Sequence, residues 1–126
     1  MADRDYSGKW QFCHWYPSKD DSEETSGTFD MVAHATNDGI VLESDANAGA
    51  YMFVRLGIEG DVASGSWHEN ADPKGEHSGV MYSGAGQLII SADGQTMDGV
   101  WAGVGFDHAA NKPKVYTGRW QLKKIA

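Results

Sequence analysis

Tyr51-Met52-Phe53-Val54-Arg55-Leu56-Gly57-Ile58, the turn Glu59-Gly60-Asp61, and Val62-Ala63-Ser64-Gly65-Ser66-Trp67-His68-Glu69 form the stretch whose reading decides the fold. In its first arm Met52, Val54, Leu56 and Ile58 fall on one face and Tyr51, Phe53 and Arg55 on the other, the period-two pattern of a half-buried strand. The glycine between two acidic residues supplies the positive φ that a tight turn requires, and a second strand-patterned arm follows at once. This is a β-hairpin, and the rest of the chain repeats its grammar.

Working outward, Asn37-Asp38-Gly39 is a second hairpin signal, between a run from Thr25 to Thr36 and a short one from Ile40 to Ser44. The first run spans Gly8 to Tyr16 and ends at Pro17. Beyond the central hairpin, a long run from His77 to Ser91 turns at Ala92-Asp93-Gly94 into Met97 to Phe106. A polar loop from Asp107 to Pro113 precedes the last run, Val115 to Ile125. No window of about 11 residues carries apolar positions at helical spacing without glycine interrupting it. About eight short strands with turn residues between them predict an all-β fold, a single up-and-down antiparallel barrel of the calycin kind spanning residues 1–126.

The chain has 126 residues, 16 glycines, 3 prolines, 5 tryptophans and 5 tyrosines. That length suits one domain with one core, and so many aromatic residues fill either a small core or the walls of a pocket. A net charge of −8 repels polyanions, which argues against direct nucleic-acid binding and against an anionic membrane. Most of the acid lies in the first half, with Asp20-Asp21-Ser22-Glu23-Glu24 reading as a solvated loop. Cys13 is the single cysteine, so neither an internal disulfide nor a thiolate metal cluster is expected. The polar opening at Met1-Ala2-Asp3-Arg4-Asp5 lacks an apolar leader, and no run of about 18 apolar residues occurs. The expected address is the cytoplasm.

Gly-x-Trp occurs four times: Gly8-Lys9-Trp10, Gly65-Ser66-Trp67, Gly99-Val100-Trp101 and Gly118-Arg119-Trp120. Residues two apart share a strand face, so each glycine makes room where an indole or a neighbouring strand comes close, and the simplest assignment turns all four pairs inward. Two readings stay open, an aromatic plug and an aromatic-lined cavity.

Phosphate-cradling, dinucleotide and nucleophile-elbow motifs are absent, and the glycine-rich string Gly99 to Gly105 has no helix after it. None of His14, His34, His68, His77 and His108 forms a zinc-type pair on a helix. His68, Glu69 and His77 could converge across one loop, but solvated loop residues explain them better, and neither metal nor cofactor is expected. Glu69 shares its face with Gly65 and Trp67, which sets it inward near the barrel mouth, as a structural acceptor or as a ligand's polar anchor. In the sixth run Gly75, His77, Gly79 and Met81 alternate on one face and Tyr82, Gly84, Gly86 and Leu88 on the other. The switch near Met81 suggests a β-bulge or a long strand with differing surroundings, and Tyr82 and Gln87 become candidate hydrogen-bonding groups in or near the interior.

From Leu42 onward the chain resembles a β domain found at the C-terminal end of many actinobacterial helix-turn-helix regulators of the xenobiotic-response type. The resemblance rests on Asp61-Val62-Ala63-Ser64-Gly65-Ser66-Trp67-His68-Glu69, Pro73-Lys74-Gly75, Gly79-Val80-Met81-Tyr82-Ser83-Gly84 with Gln87-Leu88, Met97-Asp98-Gly99-Val100-Trp101-Ala102-Gly103-Val104-Gly105 and Thr117-Gly118-Arg119-Trp120-Gln121-Leu122. Gly8-Lys9-Trp10 and Tyr16-Pro17-Ser18 fit as well. It implies a sensory or effector-binding module, although this chain carries no helix-turn-helix segment and has a longer loop from Asp107 to Lys114. More distantly, its Gly-x-Trp opening and Gly-x-Trp-x-Leu close are similar to lipocalin and avidin-type barrels, with aromatic residues around a central pocket.

Three functions follow as expectations. The first is a non-enzymatic module for a small, partly apolar or heterocyclic ligand, walled by Trp10, Trp67, Trp101 and Trp120 and anchored by Glu69, Tyr82 and Gln87. The second is a small barrel isomerase or cyclase in which Glu69, His77 or Tyr82 moves protons. The third is a structural or interaction domain with a filled core and an exposed apolar patch. A homo-oligomer or a regulatory protein partner stays open.

Overall fold

The computed structural model describes residues 5–17, 24–44, 51–70, 81–107 and 109–126. Its strands are β1 (Gly8–Pro17), β2 (Glu24–Ala35), β3 (Gly39–Ser44), β4 (Tyr51–Glu59), β5 (Val62–Asn70), β6 (Met81–Ile90), β7 (Thr96–Asp107) and β8 (Lys112–Lys124). Each pairs antiparallel with the next, and β8 returns to β1, so the barrel is closed in chain order. Closure leaves no open sheet edge, which is how a small all-β chain satisfies its backbone. Among the described residues no helix is long and apolar enough to cross a membrane.

The expected hairpins form where their turn residues sit. Glu59 pairs with Val62 around a two-residue loop whose first member, Gly60, has φ 61°, the geometry of a type II′ turn. Between β6 and β7, the Asp93 carboxylate accepts from Ser91 Oγ (2.6 Å) and from the Gln95 amide (3.0 Å), while Gly94 takes φ 71°. The last hairpin is tighter than its polar sequence suggests. Strand pairing runs out to Asp107 and Lys112, and Asp107 Oδ1 accepts from the amides of Ala109 and Ala110 at 3.0 and 3.1 Å. β8 therefore begins three residues before the expected Val115.

β6 holds an uninterrupted register with β5 from Met81 to Ile89, so no bulge interrupts it there. His77, Gly79 and the rest of the expected early part of this strand lie outside the described residues.

The two ends of the barrel differ. At one, here the turn end, the β2–β3, β4–β5 and β6–β7 turns gather with Asp5 and the C-terminus; at the other, the loop end, β1, β3, β5 and β7 finish and β2, β4, β6 and β8 begin. Toward the turn end the interior is packed with Trp10, Phe12, Met31, Ala33, Ile40, Leu42, Val54, Leu56, Ala63, Leu88, Ile90, Met97, Trp120 and Leu122, all buried. Removing each large side chain from water stabilises the fold by about 1.5–3 kcal/mol. Tyr6 packs against this core from the N-terminal segment, and its carbonyl accepts the Trp10 indole N–H at 2.8 Å. The Lys9 amide donates to the Ala126 carbonyl (2.8 Å), tying the two termini together. Among the described residues no polar or charged side chain is fully buried.

On the outer wall Val62, Ile89, Val100, Val104 and Val115 stay exposed. Val62 lies beside Ile89 and Val104 beside Val115.

Candidate functional site

Burial falls along several strands toward the loop end, and with it the character of the interior changes. On β1 the inward series runs Trp10, Phe12, His14, Tyr16, the first two fully buried and the last two half-buried. On β8 it runs Leu122, Trp120, Gly118, Tyr116; on β5, Ala63, Gly65, Trp67, Glu69; on β7, Met97, Gly99, Trp101, Gly103, Gly105. A filling of aliphatic side chains, Trp10, Phe12 and Trp120 thus gives way to half-buried rings, glycines, His14 and Glu69.

Glycine paves the wall on which the indoles lie. A methyl at Gly84 would press within 2.8 Å of the Trp67 ring and one at Gly103 within 2.9 Å of its Cη2, so Trp67, from β5, lies flat across β6 and β7. Gly118 gives the same room to Trp101. The rings of Trp67 and Trp101 meet edge to face, centroids 5.6 Å apart and planes at 85°, a favoured aromatic geometry. Trp101 donates its N–H to the Trp15 carbonyl at 3.0 Å, just beyond His14–Trp120, where the β1–β8 pairing ends.

All four Gly-x-Trp indoles face inward, as expected, but they fall into two groups. Trp10 and Trp120 belong to the filled core: both are fully buried, and Trp120 stands edge-on to Phe12 with centroids 5.8 Å apart. Trp67 and Trp101 lie further toward the loop end, Trp67 7% exposed and Trp101 half-buried. Every one of the four donates its N–H to a backbone carbonyl, Trp67 to Ala85 (3.3 Å) and Trp120 to Gln87 (3.4 Å). The indoles offer ring faces and edges, with their hydrogen-bond capacity already used.

Gln87 requires a correction. Its side chain is exposed on the outer face, because Tyr82, Gly84, Gly86 and Leu88 take the inward positions of β6 and an odd-numbered residue there must point out. Only its carbonyl, through Trp120, connects it with the core. Tyr82 is half-buried against the core cluster, and in register it neighbours Glu69. His68 and Glu69 point to opposite faces of β5, His68 exposed, so they cannot converge on one ion; His77 lies outside the described residues. Among the described residues no three metal-ligating side chains come together.

Glu69 sits between Met52 on β4 and Tyr82 on β6. Burial pushes its carboxyl above the usual range, and among the described residues nothing donates to it or neutralises it. A carboxylate taken from water without a partner is costly.

His14 was not singled out by the sequence reading, and the structure makes it the most unusual polar residue of the interior. Its ring stacks on Phe29 (5.7 Å, 7°) and on Tyr16 (5.1 Å, 25°) and tilts against Phe12 at 5.6 Å. Gly27 leaves room for the imidazole edge, since a methyl there would come within 2.8 Å of Cε1. Burial lowers its pKa from 6.5 to about 4, so the ring is neutral at pH 7. Its Nδ1 is fully buried and has no hydrogen-bond partner among the described residues. The period-two series from Trp10 was the available signal. β1 and β5 are four strands apart in a ring of eight, so His14 and Glu69 face the interior from opposite walls.

No family model and no curated protein sequence matches this chain. Its function is therefore read from the barrel's own chemistry.

Proposed function

We propose that the barrel is a binding module for a small, partly apolar or heterocyclic molecule, taken in at the loop end and held without turnover. One observation carries this reading: the buried, unpartnered Nδ1 of His14 inside an aromatic stack. Leaving such a group unpaired costs about 1–3 kcal/mol, a cost that a filled core avoids by placing carbon there. A ligand that parts the stack and brings a donor or acceptor to that nitrogen removes it. Phe29 and Tyr16 supply the apolar walls around it, Trp67 and Trp101 further apolar wall toward the loop end, and Glu69 and Tyr82 the second polar locus, the composition usual for small-molecule pockets. Trp10 and Trp120 support these walls from the core. A sensory or effector-binding role, as the resemblance implies, agrees with this chemistry.

The test is a screen of small heterocycles followed by intrinsic tryptophan fluorescence, with native mass spectrometry to count bound molecules. One equivalent bound, lost in His14→Phe while strand circular dichroism is unchanged, supports the module. A broad panel without response, with the tryptophans inaccessible to soluble quenchers, overturns it.

A second reading, proton-transfer catalysis, is favoured by the raised carboxyl of Glu69 beside Tyr82. It predicts turnover that Glu69→Gln abolishes while binding survives.

A further inference from the structure

At the loop end, the groups left to meet a ligand are unequal in kind. The Trp67 and Trp101 N–H groups are already spent on the carbonyls of Ala85 and Trp15. Glu69 faces inward between Met52, Trp67 and Tyr82 with no donor and no cation against it among the described residues. On the far wall His14 adds a neutral imidazole, of whose two nitrogens one accepts. Lys112, Lys114 and Lys124 share the inward parity of β8, three strands from Glu69; Lys112 and Lys114 are exposed, Lys114 over the Tyr116 ring at 5.2 Å, and Lys124 donates to the Asp5 carbonyl at the turn end. A carboxylate and an imidazole, walled by electron-rich ring faces, present acceptors and π-density together.

Resting on the binding reading above, we propose that the ligand is a planar organic cation, an aromatic ammonium or amidinium, whose donors meet Glu69 while its ring lies against Trp67 and Trp101. Three independent contributions point the same way. An ionised carboxylate with no partner gains most from a ligand that brings both charge and donors. Indole faces attract cations and do so more strongly where water is excluded. A net charge of −8 raises the local concentration of cations and disfavours anions. The raised proton affinity of Glu69 in the empty barrel fits as well, because an arriving cation then displaces a proton from it.

Benzamidine, benzamide and benzoate test this, being close to isosteric and differing in charge. Ligand-observed nuclear magnetic resonance titrations of the full chain should rank benzamidine at least about tenfold tighter than benzamide, the scale of one charge-assisted hydrogen bond, with benzoate weakest. Glu69→Gln should bring benzamidine down to the affinity of benzamide and leave benzamide unchanged. Calorimetry of the unaltered protein in acidic buffers of different ionisation enthalpy, where the raised Glu69 carboxyl still holds part of its proton, should show proton release with benzamidine alone, a readout that needs no variant. Benzamide or benzoate binding as well as benzamidine, or a cation preference that survives Glu69→Gln, overturns the ligand class and leaves the binding module standing. Silence from all three compounds, together with a silent heterocycle screen, overturns both.

Discussion

Phe12 and Phe29 are register partners on neighbouring strands, yet they belong to different regions of one interior. Phe12 is fully buried with an indole edge against it; Phe29 is half-buried and stacked on an imidazole that lacks a partner. Phe12 touches the same imidazole on one side, but its Trp120 contact and full burial make it part of the packed core. Around Phe29 the wall is built from rings, glycines and titratable groups that stability alone would not select. The difference separates the part of the barrel that holds the fold from the part that holds a ligand, within a single closed sheet.

The largest effect that can break this comparison is truncation of the pair. Phe12→Ala should cost about 3–5 kcal/mol, by lost burial and the cavity left behind, and Phe29→Ala no more than about half of that, measured by urea unfolding with unchanged m values. Equal losses would mean that both regions are core.

Next in size is the acid limb of stability. The folded His14 takes its proton near pH 4 and the unfolded one near 6.5, so between those values the unfolded state binds more protons. Stability therefore rises with pH across that window and is lost as pH falls from about 6.5 to about 4, by about 3 kcal/mol. His14→Phe should flatten that limb. An unchanged slope would show that another group governs it.

Glu69 works in the opposite sense. Its folded carboxyl holds its proton more tightly than the unfolded one, whose ordinary value is 4.5, so stability is lost as pH rises above that value. Glu69→Gln should raise the unfolding free energy at pH 7 and above, by about 0.5–2 kcal/mol, the usual gain when a functional group is sacrificed, with the advantage vanishing in acid. The smallest effect belongs to the outer wall. Ile89, 67% exposed, should tolerate Ile89→Ser within about 0.5 kcal/mol.

Much of the architecture was legible because period two and turn chemistry are local. The Tyr51 to Glu69 hairpin follows from alternation and from Gly60, and the inward direction of the four Gly-x-Trp pairs follows from parity. Parity also governed what was misread: Gln87 has the wrong parity for the interior that Tyr82 and Leu88 share, and His14 has the right one beside Trp10 and Phe12. Depth was not legible. Whether an inward tryptophan packs the core, as Trp120 does, or approaches the loop end, as Trp101 does, depends on strand stagger on closure, a property of all eight strands together. Nor can a sequence show that a histidine nitrogen lacks a partner, since that depends on what the neighbouring strands bring against it.

The most direct test is a titration of isotope-labelled protein with unlabelled indole, following the tryptophan Nε1–H signals, assigned by single Trp→Phe variants. The signals of Trp67 and Trp101 should shift together and saturate, while those of Trp10, Trp120 and the outward Trp15 stay in place. Five unmoved signals at millimolar indole, or equal shifts of Trp10 and Trp120 with the others, would contradict the division of this barrel into a packed half and a binding half.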